Sequence, residues 1–360
     1  MILRSFCASN FRNIESCKLT FDSEVNVLLG ENAQGKTNAV EGIYLFARGR
    51  SFRRGDEKDL VRFGNEGFSI CIEYEDKDGT NTLEYAAFGR ERRRKKNGYR
   101  LRKASEMVGS FKAVLFSPDD LELVKGGPDE RREFLNVAIS QCYPEYISLY
   151  GDYKKALENR NAILKNASKG LYFDERELQA WSLSIADYAA RIYTYRCDYL
   201  KKLEVYAKSF MADISSGKEE LTLTYRSDID ESLQNEDIVL RYRGIFTDNV
   251  MKERLAGTTL YGPHREDIIF SLGGKDARLY ASQGQQRSIV LSLKMAEGEV
   301  SRELFSEYPV FLFDDVLSEL DETRQKFVLS GMKDRQIIIT SCERLHTGGK
   351  VIEVKDGVFL

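Results

Sequence analysis

The stretch Val27-Leu28-Leu29-Gly30-Glu31-Asn32-Ala33-Gln34-Gly35-Lys36-Thr37-Asn38 decides how this chain is read. A short apolar run ends at Gly30, and the pattern G-x-x-x-x-G-K-[ST] follows. The run reads as a buried strand. The loop after it can turn successive backbone N–H groups toward an anion, because glycine allows the curvature. Lys36 is spaced to reach β- and γ-phosphates, and the Thr37 hydroxyl to ligate Mg²⁺. A helix beginning near Gly35, with Val40, Ile43 and Tyr44 on its apolar side, adds a positive dipole end. The bland alternative is a glycine turn joining strand to helix. The complete motif, the strand before it and the amphipathic segment after it all favour nucleotide binding.

Composition bounds the rest. At 360 residues the chain is too long for one simple core, so two domains or one domain with a large insertion is expected. A hydrophobic share of 42% with 31% charged residues describes a soluble globular protein. No apolar stretch is long enough to span a bilayer, and the start carries no signal-peptide pattern. Six scattered cysteines, with no C-x-x-C pair, read as reduced thiols of a cytoplasmic protein rather than a disulfide or zinc framework. The net charge of −3 points to no polyanionic partner, so any nucleic-acid site must be a local patch.

One such patch exists. Within 90–103, nine of fourteen residues are Lys or Arg, among them Arg92, Arg93, Arg94, Lys95 and Lys96. Asn97-Gly98 sits between strand-like arms, a strong two-residue hairpin signal. A solvated edge hairpin kept from aggregating by its charges is one reading. Contact with a phosphate backbone through those five residues is the other, and it is the one adopted here. A second basic loop, with Arg50, Phe52, Arg53 and Arg54, follows the first helix.

From Pro128 the composition turns helical. Along 175–212 apolar residues recur from Leu178 through Trp181, Ile185, Tyr188 and Ile192 to Phe210 in alternating steps of three and four. That stripe predicts an amphipathic helix packed in a lobe inserted between strands of an α/β core. The chain accordingly divides into a first ATPase half over 1–120, a helical insertion over 121–215 and a second ATPase half over 216–360. His264 has no second ligand nearby, so a structural hydrogen bond is expected of it rather than a metal.

The second half supplies the remaining chemistry. Ser282-Gln283-Gly284-Gln285 opens a helix, an anion-seeking end or an ordinary cap. Pro309-Val310-Phe311-Leu312-Phe313-Asp314-Asp315 is an apolar strand ending in two carboxylates, the Walker B arrangement. Asp314 is expected to hold Mg²⁺ with Thr37, and Asp315 to orient the attacking water or take its proton. Lys36, Asp314 and Asp315 are thus the expected catalytic set. Ser318-Glu319-Leu320-Asp321 follows at once.

Walker A, S-x-G-Q, Walker B and S-x-L-D, in that order, resemble the ATP-binding-cassette ATPases, and the wide helical separation resembles their SMC-like branch. More narrowly, the chain resembles the RecF family of bacterial recombinational repair proteins. The residues that carry this are Asn10-Phe11-Arg12-Asn13, 30–38, Arg50-Ser51-Phe52-Arg53, Phe116-Ser117-Pro118-Asp119-Asp120-Leu121, Gly127-Pro128 with Arg131-Arg132, Gly262-Pro263-His264-Arg265, 282–287 and 314–321. The resemblance implies an α/β P-loop ATPase head with an inserted α-helical lobe. It implies ATP held by Arg12, Asn13, Gly30, Glu31, Asn32, Ala33, Gln34, Gly35, Lys36 and Thr37. Ser282, Gly284 and Gln285 would face the ATP of a second protomer, so that ATP dimerises the protein and slow hydrolysis releases it. It implies single-stranded and duplex DNA, with gapped junctions, as ligands, and RecO- and RecR-type mediators as partners, with no membrane. Two departures stand out. Asp315 replaces the glutamate usual in transporters, and Thr340 or Ser341 stands where their switch histidine would be. A transporter subunit would need a Q-loop and no cationic hairpin, and a DNA-bridging SMC protein would need far longer arms.

Overall fold

The computed structural model describes residues 1–360 except 54, 231, 235, 332, 333, 346 and 347, and except the side chains of 319, 323 and 330. Arg54 therefore lies outside the described residues. The chain forms two compact units. One comprises Met1–Glu122, Tyr206–Glu220 and Ser282–Leu360, and the other Leu123–Val205 and Leu221–Ala281. The second ATPase half expected over 216–360 is divided, since residues 221–281 group with the helices.

The first unit holds two six-stranded sheets. In one, the order is Val358–Phe359, Lys350–Lys355, Val25–Leu29, Ile337–Ser341, Val310–Phe313, Ala113–Phe116. Its inner pairings are all parallel, and only the edge strand Val358–Phe359 is antiparallel. Strands covered on both faces need apolar side chains throughout, which explains Val-Phe-Leu-Phe and Ala-Val-Leu-Phe. Phe116 stacks on Phe313 at 4.1 Å between ring centroids. The helix Gln283–Phe305 comes so close to this sheet that a Cβ on Gly298 would lie 2.3 Å from the Phe311 ring.

The other sheet is antiparallel, in the order Ile14–Thr20, Ile2–Phe11, Gly67–Asp76, Gly79–Phe88, Glu91–Lys96, Tyr99–Leu101. The sequence suggests a meander over 1–29. In the structure only its first two strands pair, and Val25–Leu29 joins the parallel sheet. The continuous apolar run of Val25–Leu29 suits a doubly covered strand, whereas Ile14–Thr20 keeps one polar side. Phe6, Phe11, Ile70, Ile72, Leu83 and Tyr85 are buried on the inner face of the antiparallel sheet. Helix Lys36–Arg48 packs on it through Gly42, where a Cβ would meet the Phe6 ring at 2.6 Å.

The second unit contains helices Pro128–Cys142, Pro144–Ser168, Glu236–Asp248 and Val250–Ala256, with Glu175–Ser215 as far as Val205. Its sheet has three antiparallel strands, Lys275–Asp276, Asp267–Leu272 and Leu221–Arg226. The helices Glu236–Asp248 and Val250–Ala256 are divided at Asn249, whose side-chain amide caps the Ile245 carbonyl at 2.9 Å. The core is polar at its centre. Arg196 is fully buried and donates to the Tyr225 hydroxyl, the Pro263 carbonyl and Asn136. Glu266 accepts from Tyr225 and Tyr242. Arg160, equally buried, is matched by Glu253 at 2.6 Å and Thr259 at 2.9 Å. A buried charge is tolerable only when paired and hydrogen-bonded in this way. His264 lies in this network, between the Tyr153 hydroxyl at 2.6 Å and the Thr259 carbonyl at 3.2 Å. Burial lowers its pKa to about 4, so the ring is neutral at pH 7. Among the described residues no helix is long and apolar enough to cross a membrane.

Candidate functional site

The loop 30–37 lies at the end of Val25–Leu29 and opens helix Lys36–Arg48. Its glycines serve different ends. Gly35 has φ 109°, which a side chain resists. Gly30 is needed for space, since a Cβ there would lie 2.2 Å from the Val354 carbonyl oxygen. Lys36 is buried and donates to the Gly30 carbonyl, to the Glu31 carbonyl at 3.1 Å and to the Cys342 sulfur at 3.3 Å. Cys342 in turn donates to Asn32 at 2.9 Å. Gln34 takes backbone N–H groups of Asp356 and Gly357, the latter at 2.9 Å. The turn between the last two strands therefore braces the loop.

Parallel pairing brings the ends of Val310–Phe313 and Ile337–Ser341 beside the start of that helix. The Thr37 hydroxyl donates to Asp314 at 2.8 Å, and Thr340 lies 3.1 Å from the same oxygen. Burial raises Asp314 to about 6, with the neighbouring Asp315 adding to it and the Thr37 hydrogen bond opposing it. A carboxylate so placed gains most from a cation. One carboxylate and one hydroxyl, with no cluster of three acidic, His or Cys ligands among the described residues, fit an ion that keeps waters and takes substrate phosphates, which is the habit of Mg²⁺. Asp315 has φ 54°; its N–H donates to Thr340 Oγ1 at 2.8 Å, and its carboxylate lies 3.2 Å from the same atom. Thr340 thus spans both carboxylates, which identifies it over Ser341 as the group facing them.

Arg12 is paired on the first helix. It grips Glu41 with two nitrogens, at 3.0 and 2.6 Å, and donates to the Asp59 carbonyl at 2.8 Å. Asn13 does touch the loop, donating to the Ala33 carbonyl at 3.3 Å and accepting from Asn38 at 2.7 Å. Arg53 joins them, bonded to Asn38 at 2.8 Å and 3.5 Å from Glu41. Sequence reasoning missed Glu41; its signal was an acid on the apolar side of the first helix, between Val40 and Ile43.

Ser282 caps its own helix: Gln285 N–H donates to its hydroxyl at 3.3 Å, and Ser282 N–H to the Gln285 side chain at 2.7 Å. This capping box is the ordinary use of such residues. Arg324 links the helix start to the segment 318–321, since it bonds the Gly284 carbonyl at 3.0 Å, Ser288 at 2.8 Å and Asp321. Nothing in the sequence pattern singled out Arg324.

In the hairpin, Arg92 pairs with Glu57, and Arg94 stacks on Tyr85 at 4.6 Å with Glu57 at 4.0 Å. Arg93 pairs with Glu91 at 2.8 Å, Lys95 with Glu84 at 3.1 Å, and Lys96 bonds Ser110 at 3.1 Å.

A phosphate-loop strand, a carboxylate-ended neighbour and a capped helix tied to the segment after it define a P-loop ATPase head of the SMC type. Smc head domains, including one from Pyrococcus furiosus with an extended coiled coil, share the fold at TM-score 0.58, with 16% identity over 99% of this chain and 95% of that one. The family model "RecF/RecN/SMC N terminal domain" matches residues 2–355. DNA replication and repair protein RecF of Clostridioides difficile is 36% identical over 350 residues, 96% of this chain and 93% of that protein. The same protein of Bacillus subtilis is 36% identical over 344 residues, 95% of this chain and 93% of its own. A recombination mediator RecF of the RecFOR pathway, solved with ATP, superposes at TM-score 0.93, with 35% identity over 99% of this chain and 96% of that one. The chain belongs to the RecF family of DNA replication and repair proteins.

Proposed function

We propose that this protein binds ATP with Mg²⁺ at the loop 30–37, pairs with a second copy around two ATP molecules, and holds DNA while so paired. The observation that carries the reading is the meeting of Lys36, Thr37, Asp314, Asp315 and Thr340 at the carboxyl ends of three inner strands of the parallel sheet. The loop N–H groups and Lys36 bind the phosphates; Thr37 and Asp314 hold Mg²⁺, which supplies charge neutralisation at the phosphates. Asp315 orients the water and accepts its proton, and its short reach accords with slow hydrolysis. Ser282, Gly284 and Gln285 meet the ATP of the second copy, and hydrolysis releases the pair. The protein acts in the cytoplasm with RecO- and RecR-type mediators, at gapped DNA, to place recombinase. The RecF relative solved with ATP supports the nucleotide assignment. The deciding experiment is Lys36→Ala: nucleotide binding weakens and ATP turnover is lost. Unchanged turnover would remove the basis of the reading.

A further inference from the structure

Two thiols stand opposite one another on the antiparallel sheet. In the register of Ile2–Phe11 with Gly67–Asp76, Cys7 lies directly across from Cys71. Successive residues of a strand point to opposite faces. Phe6 and Ala8 flank Cys7, Ile70 and Ile72 flank Cys71, and all four are buried on the inner side. Both thiols therefore belong to the outer side, where each cysteine is partly exposed. Residues directly opposite in an antiparallel pair have Cα atoms about 4.5–5.5 Å apart. A disulfide spans about 4.4–6.8 Å between Cα atoms, so the backbone already stands within its reach.

The neighbouring side chains distinguish the two thiols. Along the strands, the next outer pairs are Ser9 with Ser69 and Ser5 with Glu73, so three of those four positions are serine. Such short side chains let a small reagent approach. Across the strands, Lys18 lies opposite Cys7 and Glu84 opposite Cys71. A cation beside a thiol favours attack by its thiolate, and an anion disfavours it. Burial pushes the Cys71 thiol up to about 12, with Cys7 and Glu84 adding to it. Cys7 is thus placed to attack first and Cys71 to follow. Cys17, in the same hairpin as Cys7, pairs with Ala8 on the inner side and faces neither.

We propose that Cys7 and Cys71 form a thiol–disulfide site, closed by a low-molecular-weight disulfide and reopened by a dithiol. The Cys7 thiolate attacks one sulfur of the reagent, whose other half leaves as a thiolate and takes up the proton that Cys7 gave up. Cys71 then loses its proton and attacks the Cys7 sulfur of the mixed disulfide, and the second half of the reagent leaves as a thiol. The two protein thiols are oxidised together, and the reagent is reduced to two thiols. The new bond joins the strands Ile2–Phe11 and Gly67–Asp76 and closes a ring of chain that contains the nucleotide loop and the first helix. An exposed disulfide has a high reduction potential and opens readily, so the pair follows the thiol poise around it. The site depends neither on nucleotide nor on DNA.

The test is incubation of the folded protein with oxidised glutathione, alkylation of the thiols that remain, and mass mapping without reduction. A peptide pair joined through Cys7 and Cys71 is expected, two hydrogens lighter than its parts, and dithiothreitol should release it while the protein stays folded. In Cys71→Ser the reaction should stop at a glutathione adduct on Cys7. In Cys7→Ser, Cys71 should remain open to alkylation, and an adduct there overturns the assigned order of attack. Wild type in which both thiols are alkylated, or in which an adduct persists on either, overturns the site. A joined pair that forms only in urea-unfolded chain overturns it too, because the register then plays no part. The wild-type map decides the site even where a variant fails to fold.

Discussion

Glu41 is fully buried at the centre of a charge cluster, so its removal should be felt in both stability and nucleotide binding. Its two oxygens take two nitrogens of Arg12, the Ser51 hydroxyl at 2.5 Å and a longer contact from Arg53. Breaking a buried pair by deleting one partner costs about 3–5 kcal/mol, because the other charge is stranded. Arg12 retains 19% exposure and Arg53 36%, so both recover some hydration. That places Glu41→Ala at the lower end, about 3 kcal/mol. In a unit of this size the melting midpoint should fall by about 6–12 °C. Glu41→Gln keeps the shape and the Ser51 bond and should fall less. ATP affinity should drop alongside, because Arg53 holds Asn38, Asn38 holds Asn13, and Asn13 holds the loop at Ala33. Scanning calorimetry and nucleotide titration read the two effects. A Glu41→Ala protein that melts within about 1 °C of wild type would refute the reasoning.

Four further outcomes are expected. Ser282→Arg should leave ATP binding by the single chain nearly intact yet stop its mass from doubling on ATP addition by light scattering; a doubled mass would refute the trans assignment. Asp315→Asn should keep Mg²⁺ and ATP while slowing release of the paired form, and normal turnover would move the proton acceptor elsewhere. Gly30→Ala should cripple nucleotide binding, because the Val354 carbonyl cannot retreat without displacing its strand; wild-type affinity would contradict that. Glu297, raised to about 7 chiefly by burial, holds its proton in the native state at pH values where the unfolded chain has lost it. Its contribution is therefore present at low pH and lost as pH rises toward 7. Melting followed from pH 4 to 8 should show a smaller loss in Glu297→Gln than in wild type, the remainder including that of Asp314, also raised by burial; an equal loss would refute the assignment to Glu297.

The sequence made the nucleotide loop, the carboxylate-ended strand and the hairpin turn visible because each is local: its residues touch within one motif. Asn97, at φ 50°, and Gly98, at φ 79°, adopt the conformation their dipeptide announces. What stayed hidden depends on pairing between distant segments. The carboxylate that holds Arg12 lies 29 residues on, outside the motif that contains Arg12. The facing of Cys7 and Cys71 needed the register of Ile2–Phe11 with Gly67–Asp76, and the grouping of 221–281 with the helices needed the strand pairs of Asp267–Leu272. The need for Gly30 arises from Val354, more than three hundred residues away.

That last distance bears on how the protein is made. The strand Val25–Leu29 leads into the nucleotide loop, yet both its neighbours come from residues 337–355, and its loop is braced by Asp356 and Gly357. A ribosome adding about 5–20 residues per second therefore leaves the strand unpaired on both sides for roughly 15–65 s. During that time Val25-Asn26-Val27-Leu28-Leu29 is an exposed apolar template open to other chains. The helices of the second unit, whose contacts are closer in sequence, can form meanwhile. Yield from the cell should therefore depend on what shields that strand during synthesis as much as on the stability of the finished protein.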